Sequence, residues 1–175
     1  MRILIAAALA AAAALPAVAQ DTKPAAVEVA VPEGAHDYGF AGMMAKDNRA
    51  DLPPLTLASG KPVADGEYHL KSGTYYRIDI IADGSQELAL SGGDFFRAVW
   101  INEIVVEDIE IRPMGVHSLE FDSAGTAHLS FIPIVPGTYT LSIPGSHSDT
   151  QSATFVIQCQ SRSCVASLVT PWTSR

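Results

Sequence analysis

What most constrains this chain is a two-residue alternation of apolar and polar side chains that recurs along it and stops each time at a turn. In Tyr75-Tyr76-Arg77-Ile78-Asp79-Ile80 the apolar positions Tyr76, Ile78 and Ile80 are separated by Arg77 and Asp79. Successive side chains of a strand point to opposite faces, so a run of this kind buries one face and wets the other. The same period returns in Glu107–Ile111, Ser118–Phe121, Ala127–Phe131, Thr138–Ile143 and Thr154–Ile157. Between these runs stand turn formers: Lys71-Ser72-Gly73, Ala82-Asp83-Gly84-Ser85, Asp122-Ser123-Ala124-Gly125 and Pro133 to Gly137. Glycine and proline supply the backbone angles that reverse a chain, and Asp and Ser bond their own backbone there. Many short half-buried strands joined in this way predict an all-β fold, a Greek-key antiparallel β-sandwich.

One segment departs from the pattern. In Ser91-Gly92-Gly93-Asp94-Phe95-Phe96-Arg97-Ala98-Val99-Trp100, Asp94 is placed to cap a short helical turn, and Phe95 and Trp100 to plug an end of the sandwich. The beginning of the chain differs too. Residues 1–19 read as an export signal, with Arg2, an apolar run from Ile3 to Leu15, Pro16, and Ala17-Val18-Ala19 as the cleavage motif. The apolar run falls short of the roughly 20 residues that span a bilayer, so no membrane insertion is expected. Residues 20–50 mix Ala, Pro and Gly without a sustained period and read as a flexible lead-in, with a strand at Val27–Val31. Residues 51–175 then form one domain, periplasmic or secreted.

The formal charge of the 175-residue chain is −8, and removal of Arg2 with the signal makes it −9. A net acidic chain without a basic run is poorly suited to nucleic acid, and its partners are expected among cations and proteins. Cys159 and Cys164, in CQSRSC, are the two cysteines. In an exported chain this pair predicts a disulfide, whose small loop contributes about 2 kcal/mol and clips the C-terminal tail. Zinc is a poor alternative, because neither the spacing nor a second cysteine pair is present.

The runs GEYHLKSGTYYRIDIIADGSQELAL, SGGDFFRAVWI and GVHSLEFDSAGTAHLSFIPIVPGTYTLSIPGSH resemble the cupredoxin-like family of bacterial periplasmic proteins, over roughly residues 55 to 158. The most specific part is Phe131-x-Pro133-x-x-Pro136-Gly137-Thr138-Tyr139. The resemblance implies a site for copper held by two histidines, a cysteine thiolate and a weak axial ligand. It places the first histidine position on Leu88, the cysteine on Ile143, the second histidine on His147 and the axial ligand near Gln151 or Ser152. Leucine and isoleucine offer a metal nothing, and Ile143 continues the series Tyr139, Leu141 toward the core. Blue copper is therefore not expected.

A different copper site is conceivable, because copper(I) takes imidazoles and thioethers. Met114 and His117 stand together in PMGVH, and they form a His2Met set if His147 meets them at one pole. Under the opposing reading His128 points outward from its strand, Met43 and Met44 cover apolar surface, and the remaining histidines lie in solvent. Catalysis has less to build on. Ser146-His147-Ser148-Asp149 holds triad residue types, but neighbours on one loop cannot converge as a relay, and there is no nucleotide-binding glycine motif or HExxH. The expected function is a non-catalytic exported module, an accessory or interaction component of a periplasmic system. The alternative is a copper-binding or copper-delivery protein.

Overall fold

The structure is a computed structural model that describes residues 26–27 and 42–159. Its strands are β1 (Ala26–Val27), β2 (Arg49–Asp51), β3 (Leu55–Leu57), β4 (Glu67–Lys71), β5 (Tyr75–Ala82), β6 (Leu88–Ser91), β7 (Val99–Val106), β8 (Ile109–Ile111), β9 (Ser118–Phe121), β10 (Gly125–Pro133), β11 (Gly137–Ser142) and β12 (Ser152–Gln158). Among the described residues one short α-helix, α1 (Gly93–Ala98), links β6 to β7. The strands form two six-stranded sheets. One runs β1-β4-β12-β11-β6-β9; the other runs β2-β5-β10-β7-β8, with β3 beside β5 as well. The all-β sandwich expected from the alternation is the architecture found. Most connections cross from one sheet to the other, and β7–β8 and β11–β12 are the antiparallel pairs of consecutive strands that stay in one sheet.

The sheets are mixed rather than purely antiparallel. β4 runs parallel to both β1 and β12, and β2 and β3 run parallel to β5. The second case has a local cause. Arg49–Asp51 pairs with Tyr75–Arg77 and Leu55–Leu57 with Ile80–Ala82, so one edge of β5 is covered by a strand broken at Pro53-Pro54. Proline has no N–H for a ladder. The carbonyl freed at Pro53 accepts the Tyr68 hydroxyl at 3.1 Å. β2 also places part of the sequence assigned to the lead-in within the folded unit. Asn48 is buried and donates its side-chain amide to the Gly73 carbonyl at 2.8 Å. Of the strand expected at Val27–Val31, only Val27 lies within the described residues, at the end of β1; the signal segment and Cys164, the partner expected for Cys159, lie outside them.

Tyr76, Ile78 and Ile80 of β5, Leu129 and Phe131 of β10, and Leu141, Phe155 and Ile157 from the opposite sheet fill the core. Phe95 reaches between the sheets from α1, with its ring centroid 5.5 Å from that of Phe131 and 4.5 Å from that of Phe155. This is the plug anticipated for Phe95. Trp100 is not part of it: Val99 and Ile101 take the inward positions of β7, which turns the indole outward to 47% exposure. Asp94 is not the cap either. Gly92 occupies the N-cap position, and Asp94 pairs with Arg97 one turn later. Gly92 is there because the β11 backbone approaches closely, and a Cβ would stand 2.5 Å from the Thr140 carbonyl oxygen. Among the described residues, no helix is long and apolar enough to cross a membrane.

Candidate functional site

Three of the four inferred copper-ligand positions, those of Leu88, Ile143 and Gln151, meet around one cleft, whereas His147 is not among its lining residues. Its volume is about 240 Å³, and Leu88 from β6, Ile143 just past β11, and Gln151 just before β12 line it together with Ala58–Gly60 and Gln86. The register of the sheet explains the convergence. Ser142 pairs with Ser91 of β6 and with Ser152 of β12, so the residues beyond Ser142 run out between Leu88 and Gln151. The Ile143 amide donates to the Gln151 carbonyl at 3.1 Å and extends the ladder by one bond.

Chemically, this cleft does not suit copper. Leu88 and Ile143 have no donor atoms, and Gln151 offers only an amide, whereas a type 1 centre needs imidazoles and a thiolate. The segment that follows is folded on itself. The Ile143 carbonyl accepts the Ser146 amide at 3.1 Å and the Ser146 hydroxyl at 2.6 Å. Pro144 and Gly145, the latter with φ of 77°, occupy the two central positions of that turn. Proline followed by a positive-φ glycine is the type II signature. The next residues close through the Gln151 amide to the Ser148 carbonyl at 2.9 Å and the Ser152 hydroxyl to the Asp149 carbonyl at 3.0 Å. The backbone that would carry a ligand loop is thus committed to its own hydrogen bonds.

Ile143 itself differs from the expectation that it extends the core. It is half-buried and packs against the core from the rim, because β11 ends at Ser142 and the turn carries the chain away. Tyr139 is also only half-buried, which leaves Leu141 as the fully inward residue of this series.

His117, His147 and Met114 occupy different surroundings. His117 lies one residue before β9 and receives the Gly92 amide on its carbonyl at 3.3 Å. Its exposed ring stands beside Gly93 near the Arg97 guanidinium. Gly92 and Gly93 lie on the α1 side of the paired residues Ser91, Ser118 and Ser142. His147 follows Ser146 on the loop at the other side of that row, by the cleft, and is exposed. The Met114 side chain is fully exposed on the β8–β9 connection. The fold gives the joint His2Met set no common pole, because β6 separates β9 from β11 and the two histidines leave the strand row in opposite directions.

Of the other sulfur and imidazole groups, His128 points outward as the alternation implies, and its Nδ1 lies 2.7 Å from an Asp79 carboxylate oxygen. Met43 is half-buried and Met44 exposed. His36 lies outside the described residues. Among the described residues, the group of three acidic or histidine ligand atoms within 4.8 Å of one another is Glu87, Glu120 and Asp122, all exposed. Sequence reasoning missed the cleft's far wall at Ala58–Gly60 and Gln86. No local signal marks these residues, since loops distant in sequence bring them there. The Pro144-Gly145 turn was missed as well, although its Pro-Gly dipeptide is a local turn signal.

No family model matches the chain, and no curated protein matches it. Among solved structures it is similar to a copper nitrite reductase from Nitrosomonas europaea, at 17% identity and a TM-score of 0.43, over 53% of this chain and 33% of that one. It is similar to a multicopper oxidase from Pseudomonas thermotolerans at 14% identity and a TM-score of 0.44, over 62% of this chain and 29% of that one. A further multicopper oxidase aligns at 9% identity and a TM-score of 0.43, over 64% of this chain and 44% of that one. In each case the chain spans less than half the length of the other protein. These overlaps are partial, and the sandwich assignment rests on the strand order itself.

Proposed function

We propose that this chain is an exported cupredoxin-like module without a blue-copper centre, serving as a non-catalytic accessory or interaction component of a periplasmic system. The observation that carries the reading is the cleft in which Leu88, Ile143 and Gln151 come together. Three of the four positions implied by the resemblance, separated by up to 63 residues between Leu88 and Gln151, line one small space, and the fourth, His147, stands on the loop beside it. That convergence supports the cupredoxin-like assignment, and the donor-free side chains at two of the three positions argue against its usual chemistry. Export and the Cys159–Cys164 disulfide are part of the same proposal and rest on the sequence.

Copper titration of the purified full chain tests the proposal. No blue absorption band, no stoichiometric copper(I) or copper(II) and no thermal shift with either ion are expected. Tight copper binding that disappears in His117→Ala or His147→Ala would instead assign the chain to copper handling. A blue band would overturn both readings, because Ile143 cannot supply the thiolate.

A further inference from the structure

We propose that the outer edge of β8 is a docking site for an extended segment of another protein in which apolar residues alternate with lysine or arginine. β8 ends its sheet, and among the described residues none pairs with its free side. Val106 and Ile109 close the β7–β8 hairpin around Glu107 and Asp108, with Glu107 at φ of 55°. The closing pair of a two-residue hairpin exchanges both of its hydrogen bonds, so Glu110, opposite Val105, points its N–H and C=O away from β7. The edge therefore presents at its centre a donor and an acceptor that none of the described residues engages. An exposed edge is ordinarily guarded by lysine, a bulge or an inward charge. Here Pro113 limits its length, but Ile109 and Ile111 stand beside it 65% and 46% exposed.

Charge decides the kind of occupant. Ile109 and Ile111 share one face of the strand, while Glu110 takes the other, beside Glu103 and the hairpin residues Glu107 and Asp108. Against these four carboxylates stands Arg112, which donates to Glu103 at 3.0 Å, to Glu110 at 3.3 Å and to the Asn102 side chain at 3.2 Å. A second copy of this chain would bring the same acidic excess against itself. In the two-fold register it would set Glu110 directly opposite Glu110, an arrangement that like charges destabilise. A strand reading apolar–basic–apolar places its basic residue opposite Glu110 and its apolar residues against Ile109 and Ile111. Backbone bonds then give the affinity and the alternation gives the selectivity. The net charge of −8 steers such a partner in. So short an edge buries less than the roughly 1,200 Å² of a stable complex, and the interaction is correspondingly weak and salt-sensitive.

The test uses the full chain and a labelled synthetic peptide, Thr-Lys-Val-Lys-Val-Lys-Val-Lys-Thr, followed by fluorescence anisotropy and by hydrogen exchange at the Glu110 amide. The lysine peptide is expected to bind and to slow that exchange, while a version with glutamate in place of lysine does neither. Ile111→Lys should weaken binding by about tenfold or more, and Glu110→Lys should transfer the preference to the glutamate peptide. Both substitutions fall on exposed side chains, and thermal melts check that the fold survives. The proposal is overturned by absence of binding or by binding indifferent to both variants. It is equally overturned if the Glu110 amide is already protected, whether another part of the chain covers the edge or the protein dimerises through it with increasing concentration. None of these outcomes bears on the copper titration, so the two readings fail separately.

Discussion

The chain uses nearly the same tripeptide twice, as Ile78-Asp79-Ile80 in β5 and as Ile109-Glu110-Ile111 in β8, and the two copies end in opposite environments. Ile78 and Ile80 are 2% and 0% exposed, whereas Ile109 and Ile111 are 65% and 46% exposed. Both segments are strands, and both present their acid on the face opposite their isoleucines. In each case the acid finds a basic partner, His128 for Asp79 and Arg112 for Glu110. What differs is position in the sheet. β5 has β10 on one side and the broken strand β2 and β3 on the other, so the opposing sheet covers its inner face. Among the described residues β8 is the last strand of its sheet, and none of them covers its apolar face. The alternation encodes a strand with two unlike faces and does not encode whether anything lies against the apolar one.

The widest test of this contrast is Ile80→Ala, which leaves a hole at the sheet centre and should cost about 2–5 kcal/mol in a denaturant titration. A much smaller loss would mean that β5 is not the packed centre. Next comes a pH test of burial in the opposing sheet. Burial first, and the Asp65 charge second, push the Tyr68 hydroxyl of β4 up to about 12; burial raises Tyr76, on β5 itself, as well. The neutral phenol is favoured in the folded state, so the stability is fully present below the unfolded value of about 10 and is lost as pH rises toward 12. For Tyr68 that loss is on the order of 2–3 kcal/mol.

Tyr68→Phe keeps the ring stacked on Phe155 but removes the hydrogen bond to Pro53, at a cost of about 1 kcal/mol at neutral pH. Its stability should fall less steeply above pH 10, and an alkaline limb identical to that of the parent protein would contradict the assignment. Ile143→Ala samples the half-buried rim and should cost about 1 kcal/mol, since only part of the side chain leaves water. The smallest effect belongs to Ile111→Ala, within about 0.5 kcal/mol. If it matched Ile80→Ala, something in the full chain would be covering β8, and the contrast between the two tripeptides would collapse.

Much of the fold was legible because strand periodicity is local. Tyr75–Ile80, Ser118–Phe121, Ala127–Phe131 and Thr154–Ile157 all lie within strands of the structure, and the turns at Gly73, Gly84 and Gly137 carry the positive φ that their glycines permit. Several strands escaped, β4 and β6 among them, and three of these are instructive. β2 and β3 are three residues each and too short to display a period. β7 hides its alternation behind a register shift opposite Ser130 and Phe131, where Asn102 is the extra residue. Trp100 was misplaced because its neighbours Val99 and Ile101 competed successfully for the inward face.

The candidate site divides along the same line. That Leu88 and Ile143 lack donor atoms follows from their side chains alone, and the Pro144-Gly145 turn, although missed, carries its signal in a dipeptide. Their meeting with Gln151 around one cleft required the pairing of Ser142 with both Ser91 and Ser152. Side-chain chemistry and the period of two are properties of a residue and its nearest neighbours, so the sequence by itself determined the strongly alternating strands and the inability of Leu88 and Ile143 to hold a metal. Depth, neighbours across a sheet and the company of His117 and His147 depend on contacts between residues far apart in the chain. Those were decided only when the sheets closed on each other, because burial is a property of what arrives on the other side.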